Sequence, residues 1–188
     1  MARREGATMT TRTTEVITPQ AAGAFGEKAV EAELLRRNWL PANINPTVKN
    51  AAKFDIYALK TVDERERQVQ IRVKTCRPNM KAFLWGGFPP DKPITVEGIN
   101  ESDFTIIVRM GNKREDDRFY VVPTAVVWKE IGARREELQP RVVKDIGMFR
   151  LGFDERRDGQ EEAGRGIGRK WSKYLDKWEL LDEQPPAN

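Results

Sequence analysis

The sequence contains no histidine. That absence removes the Ser-His-Asp triad, a histidine general base and any histidine-ligated zinc site. Hydrolysis by this chain would have to use carboxylates, a lysine and a hard cation such as Mg²⁺. Cys76 is the single cysteine, so no internal disulfide framework can form, which fits a reducing, cytoplasmic setting. No run approaches the roughly 20 apolar residues of a membrane span, and no membrane partner is expected. Met1 to Thr14 holds arginines and threonines without an apolar core, which reads as a mobile basic tail rather than a secretory leader. Excess charge of one sign is also missing: 33 Lys+Arg stand against 29 Asp+Glu, a net +4. The global balance therefore does not announce a nucleic-acid partner, and the positions of the charges must carry that case.

What is present suits one domain. The chain has 188 residues, 39% hydrophobic and 33% charged, enough for a real core under a heavily charged surface. The expected organisation is a tail over 1–17, a single domain over 18–182 and a second tail over 183–188. Thr18-Pro19 supplies a capping hydroxyl and a first-turn proline, so a helix is expected from there to about Asn38. Trp39 to Asn50, with Pro41 and Pro46, reads as a loop. Lys53 to Leu59 reads as a strand, Asp63 to Arg67 as a charged turn, and Gln68 to Thr75 alternates with the period of a half-buried strand. Together they form a hairpin. Arg77 to Ser102 is rich in proline and glycine and reads as a long loop. Phe104 to Met110 and Arg118 to Val122 are paired strands, followed by a helix over Ala125 to Leu138. Val142 to Phe153 reads as extended and Asp154 to Gly168 as a loop. Trp171, Leu175, Trp178 and Leu181 line one face of an expected terminal helix. The order is that of an α/β layered domain with a mixed central sheet flanked by helices.

Four positions stand out. Glu27 lies in line with Gly23, Val30 and Leu34, and a carboxylate in such a stripe needs a partner. Asp55 sits at the start of its strand. In the following strand Val69, Ile71 and Val73 face one way, and Gln70, Arg72 and Lys74 the other. A hairpin would bring Asp55 near Lys74; the plain alternative is a cross-strand ion pair. Gly26-Glu27, Asp55-Ile56 and Arg72-Val73-Lys74-Thr75 resemble the helix acid, strand Asp and (E/Q)-x-K-T elements of the PD-(D/E)XK endonucleases, most closely those of restriction endonuclease-like and Holliday junction resolvase-like members. The resemblance covers roughly Thr18 to Thr75. It implies Mg²⁺ (or Mn²⁺) dependent hydrolysis of DNA, with Asp55 as main metal ligand, Glu27 as helper and Lys74 as the lysine that activates water and steadies phosphorane charge. It also implies a homodimer.

Arg72 departs from that pattern, because arginine cannot ligate a cation and stays charged. Placed beside Asp55 it would pair with the carboxylate and compete with Mg²⁺. Gln70 could replace the lost ligand if the site moved along the strand. Either the site has moved, or the fold has kept DNA binding and lost cleavage, or the chain is a structural subunit of a nucleic-acid complex. Arg72 is then a phosphate contact or a clamp on Asp55. Trp85, beside Gly86-Gly87, either stacks on bases or anchors a satellite core. Arg165, Arg169, Lys170 and Lys173 gather near Trp171 and Tyr174, as a phosphate-binding cluster or as a solvated face. Gly164 to Gly168 lacks the Lys-Ser/Thr of a phosphate loop.

Overall fold

The computed structural model describes residues 17–44, 54–78, 80, 82–86, 93–138, 148–152 and 170–183. Helix α1 (Pro19–Arg36) begins where Thr18 Oγ1 accepts a hydrogen bond from Ala21 N, the cap expected of a hydroxyl before a first-turn proline. It ends at Arg36, and Asn38, with a φ of 61°, turns the chain toward β1 (Leu40–Asn43). β2 (Ile56–Val62) and β3 (Arg65–Cys76) form a hairpin closed by Asp63 and Glu64, both with positive φ. Two such residues in succession match the right-handed twist of the flanking strands.

β4 (Ala82–Gly86) leaves the main sheet and pairs antiparallel with β7 (Met148–Gly152). β5 (Asp103–Arg109) returns parallel to β3, and β6 (Arg118–Pro123) pairs antiparallel with β5. The five-stranded order β1-β2-β3-β5-β6 puts β5 inside the sheet, and Asp103 to Val108 are all buried, as a continuous apolar run requires. α2 (Thr124–Leu138) follows directly. The architecture is α/β with a mixed sheet between helices, as the sequence led us to expect.

The two faces hold separate cores. On one, Val30 and Leu34 of α1 pack with Ile56, Ile71, Val73 and Ile106. On the other, Val127 and Ile131 of α2 pack with Cys76, Trp85, Ile107 and Val122. Burying each of these side chains contributes about 1.5–3 kcal/mol. Gly26 brings α1 close to β3. A Cβ there would collide with the Thr75 hydroxyl, so the glycine sets how deeply the helix sits.

Three sequence expectations are corrected. β1 lies inside the expected loop Trp39 to Asn50, and Pro41 is tolerated because an edge strand can forgo one N–H. β4 interrupts the loop expected over Arg77 to Ser102. The terminal helix is instead two short 3₁₀ turns, Ser172–Tyr174 and Trp178–Leu181, separated by Asp176 at φ 53°. Its apolar spacing serves another end. Leu175 bridges to Tyr120, Asp176 N donates to Phe119 O, and Trp178 and Leu181 fill the core on the α1 face. The segment thus covers the outer edge of β6.

Candidate functional site

The β2–β3 ladder stops at the Ile56–Ile71 pair. One residue further out, Asp55 N donates to Ile71 O, and the Asp55 carboxylate accepts the Val73 N–H at 2.7 Å. The side chain therefore satisfies a backbone donor on the stretch of β3 that β2 no longer accompanies. This fixes Asp55 at the level of Val73, with Arg72 and Lys74 on either side of the contact.

Arg72 and Lys74 leave β3 on the α2 face, as the alternation places them. Both lie over one indole: the Arg72 guanidinium is 5.1 Å from the centre of the Trp85 ring and the Lys74 ammonium 5.3 Å. Trp85 itself is only 1% exposed and belongs to the α2-side core, so of the two roles open to it the structure assigns the anchor. Asp55 acts on both cations electrostatically. Burial lowers the pKa of Arg72, and Asp55 partly restores it. Burial also lowers the pKa of Lys74, the Arg72 charge lowers it further, and Asp55 opposes both.

Glu27 is half-buried on α1, and its Oε2 accepts from Asn43 Nδ2 at 3.0 Å, beside Ile56, the strand partner of Asn43 and the residue after Asp55. The same amide donates to Glu31 at 2.8 Å, so Asn43 on β1 gathers two helix carboxylates. Gln70 lies opposite Tyr57, two residues along β3 from Arg72 and so about 6.6 Å away. Lys170 is ion-paired with Glu130 at 3.0 Å, and Lys173 lies over the Tyr174 ring at 5.0 Å. Arg165 and Arg169 lie outside the described residues, as does the glycine run from Gly164 to Gly168.

Of the carboxylates expected to hold a cation, Asp55 accepts from Val73 N and Glu27 from Asn43 Nδ2. Among the described residues no three or more Cys, Asp or Glu side chains converge as metal ligands.

Sequence reasoning missed a cavity of about 210 Å³ that opens beside Arg72. Phe54, Trp85 and Trp128 supply its aromatic walls, and Glu97, Asp103 and Thr124 its polar ones. Asp103 is 2% exposed and its Oδ2 accepts the Asn100 N–H at 2.9 Å, which ties the rim to β5. A buried aspartate opening a strand was the one signal available in the sequence.

No family model and no curated protein matches the sequence. Among solved structures, the bacterial homing endonuclease I-Ssp6803I is similar at 14% identity and a TM-score of 0.45, over 89% of this chain and 94% of that one. The Archaeoglobus fulgidus Hjc, a Holliday junction resolvase, is similar at 13% identity and a TM-score of 0.36, over 69% and 88%. MepB is similar at 12% identity and a TM-score of 0.34, over 79% and 93%. These are likenesses of fold at low identity.

Proposed function

We propose that this chain is a nuclease-like protein acting on DNA, whose site at Asp55, Arg72 and Lys74 grips a backbone phosphate. The observation that carries this reading is the pair of half-buried cations, Arg72 and Lys74, set side by side over Trp85. Each cation is short of counter-charge after burial, and a phosphate monoanion would neutralise what Asp55 leaves uncompensated. Arginine at position 72 then takes over the charge neutralisation that a cation supplies in the PD-(D/E)XK pattern. Lys170 contributes little, because Glu130 already occupies it.

A second reading, Mg²⁺ or Mn²⁺ dependent hydrolysis of DNA phosphodiesters, is favoured by a different observation. Lys74 sits beside Asp55 with its pKa held below the ordinary lysine value by burial and by Arg72. A lysine that gives up its proton more readily is suited to handling the proton of an attacking water.

One set of measurements separates the two. Binding of duplex and branched DNA is followed with and without Mg²⁺ and Mn²⁺, and strand cleavage is scored on the same samples. The binding reading expects metal-independent affinity that falls on Arg72→Ala and no cleavage. Cleavage that disappears in Asp55→Ala and Lys74→Ala would establish hydrolysis instead. Affinity for DNA that survives Arg72→Ala together with Lys74→Ala would sink the phosphate grip. Preferential binding of RNA would overturn the choice of DNA.

A further inference from the structure

We infer that the cavity beside Arg72 receives one unpaired DNA base that carries an exocyclic amine, an inference that rests on a DNA phosphate being held at Arg72 and Lys74. The two sites share Arg72, which lies over Trp85 and also lines the cavity, so one nucleotide can span them. Phosphate at the cation pair and base in the cavity would be neighbours along a single strand.

The lining argues for a base in particular. Glu97 and Asp103 repel a second phosphate, so the cavity is not an extension of the anion site. Half-buried Trp128 and the Phe54 wall suit a flat ring, which stacks on an aromatic face whatever its sequence identity. Ionised carboxylates accept hydrogen bonds and cannot donate them. The exposed Glu97 carboxylate at the mouth therefore favours an edge that offers N–H groups, as guanine, cytosine and adenine do with their amines, over the carbonyl edge of thymine or uracil. A paired base inside a duplex cannot reach such a cavity, so the base must be unpaired or swung out of the stack.

The site is also set in advance. The Asp103 carboxylate and backbone N–H both bond to Asn100, and Gln70 N donates to Ser102 O, which joins the rim to β3 and β5. Gly98, with φ 75°, makes the turn that brings Glu97 to the mouth.

The test uses the full chain and fluorescence anisotropy with single-stranded oligodeoxycytidine, oligodeoxyuridine and an abasic strand of the same length. The cytidine and uridine strands differ at the edge the Glu97 carboxylate would read. Oligodeoxycytidine is expected to bind about tenfold more tightly than oligodeoxyuridine, the size of one good base contact. Glu97→Gln, an exposed rim substitution that leaves the core intact, is expected to reduce that preference severalfold. Trp128→Ala is expected to bring the affinity of both strands toward that of the abasic one. Equal affinity for all three strands, still lost in Arg72→Ala, would overturn the base cavity and leave the phosphate reading standing. Binding of all three that is indifferent to Arg72→Ala would remove the phosphate reading and this inference with it.

Discussion

Arg72 and Lys74 stand two residues apart on β3, with Asp55 bonded to Val73 between them, and the charges of Arg72 and Lys74 respond to burial first and to their neighbours second. The Arg72 charge is the second cause of the low Lys74 pKa, after burial. Arg72→Gln should therefore raise the Lys74 pKa toward the ordinary lysine range, which NMR titration of its ε-methylene would read; an unmoved titration would leave burial as the sole cause. The linkage to stability has a definite sign. A lysine whose folded pKa is lowered binds fewer protons in the native state than in the unfolded one, so stability rises with pH from the folded pKa up to 10.5. Tyr120 works the other way at the top of that range, because burial raises its pKa above 10.0. The tyrosine is common to the wild type and Lys74→Met, so comparing their urea midpoints cancels it. The wild type should gain stability relative to Lys74→Met as pH rises toward 10.5, and parallel curves up to that pH would refute the coupling. Asp55 has a structural duty as well. Asp55→Ala abandons the Val73 N–H and should cost about 1–3 kcal/mol. Asp55→Asn keeps an acceptor and should cost less; equal losses would mean that the charge, not the bond, holds the hairpin end.

Among elements, the contact of α1 with β3 is the most exacting. Ala is normally better than Gly in a helix by about 1 kcal/mol. At position 26 the added methyl meets the Thr75 hydroxyl, and Gly26→Ala should instead destabilise by about 1–3 kcal/mol. Thr75→Ala in the same chain should recover much of that loss in a chemical denaturation series. No recovery would mean that α1 shifts instead of straining. The same junction shows what the sequence made legible. Gly26, Asp55 and the alternation from Val69 to Val73 are local signals with long-range meaning, and the helix, hairpin and central strand could be placed from them. β1 and β4 could not, since each is held by a partner strand rather than by its own pattern, and proline or glycine masked both. The terminal segment misled for the opposite reason. Its residues are buried at helical spacing, yet Trp178 and Leu181 reach the α1-side core while Leu175 pairs with Tyr120, so the chain must bend at Asp176.

For the whole molecule, the two faces of the sheet have divided their tasks. The α1 face is packed apolar surface, tied to the C-terminal segment by Trp178, by Arg37 at 4.6 Å over that ring, and by the Lys60–Asp182 ion pair at 2.7 Å. The α2 face carries the cation pair and the cavity. The Asp55–Lys74 relation could be anticipated from a hairpin, but the placement of Arg72 over Trp85 could not, since Trp85 lies on β4, whose partner strand β7 is remote in sequence. This division bears on how salt should act. With a net charge of only +4, long-range attraction to DNA is weak, and the affinity must come from a few local phosphate contacts. Each such contact to duplex DNA contributes about 0.9 to the slope of log K against log salt. Arg72→Ala and Lys74→Ala should together remove about one phosphate's worth of slope, because they face the same phosphate and their effects should not add. Lys170→Ala should leave the slope unchanged, since Glu130 already neutralises that ammonium. A slope lost with Lys170 and kept without Arg72 would move the phosphate grip to the C-terminal segment and away from β3.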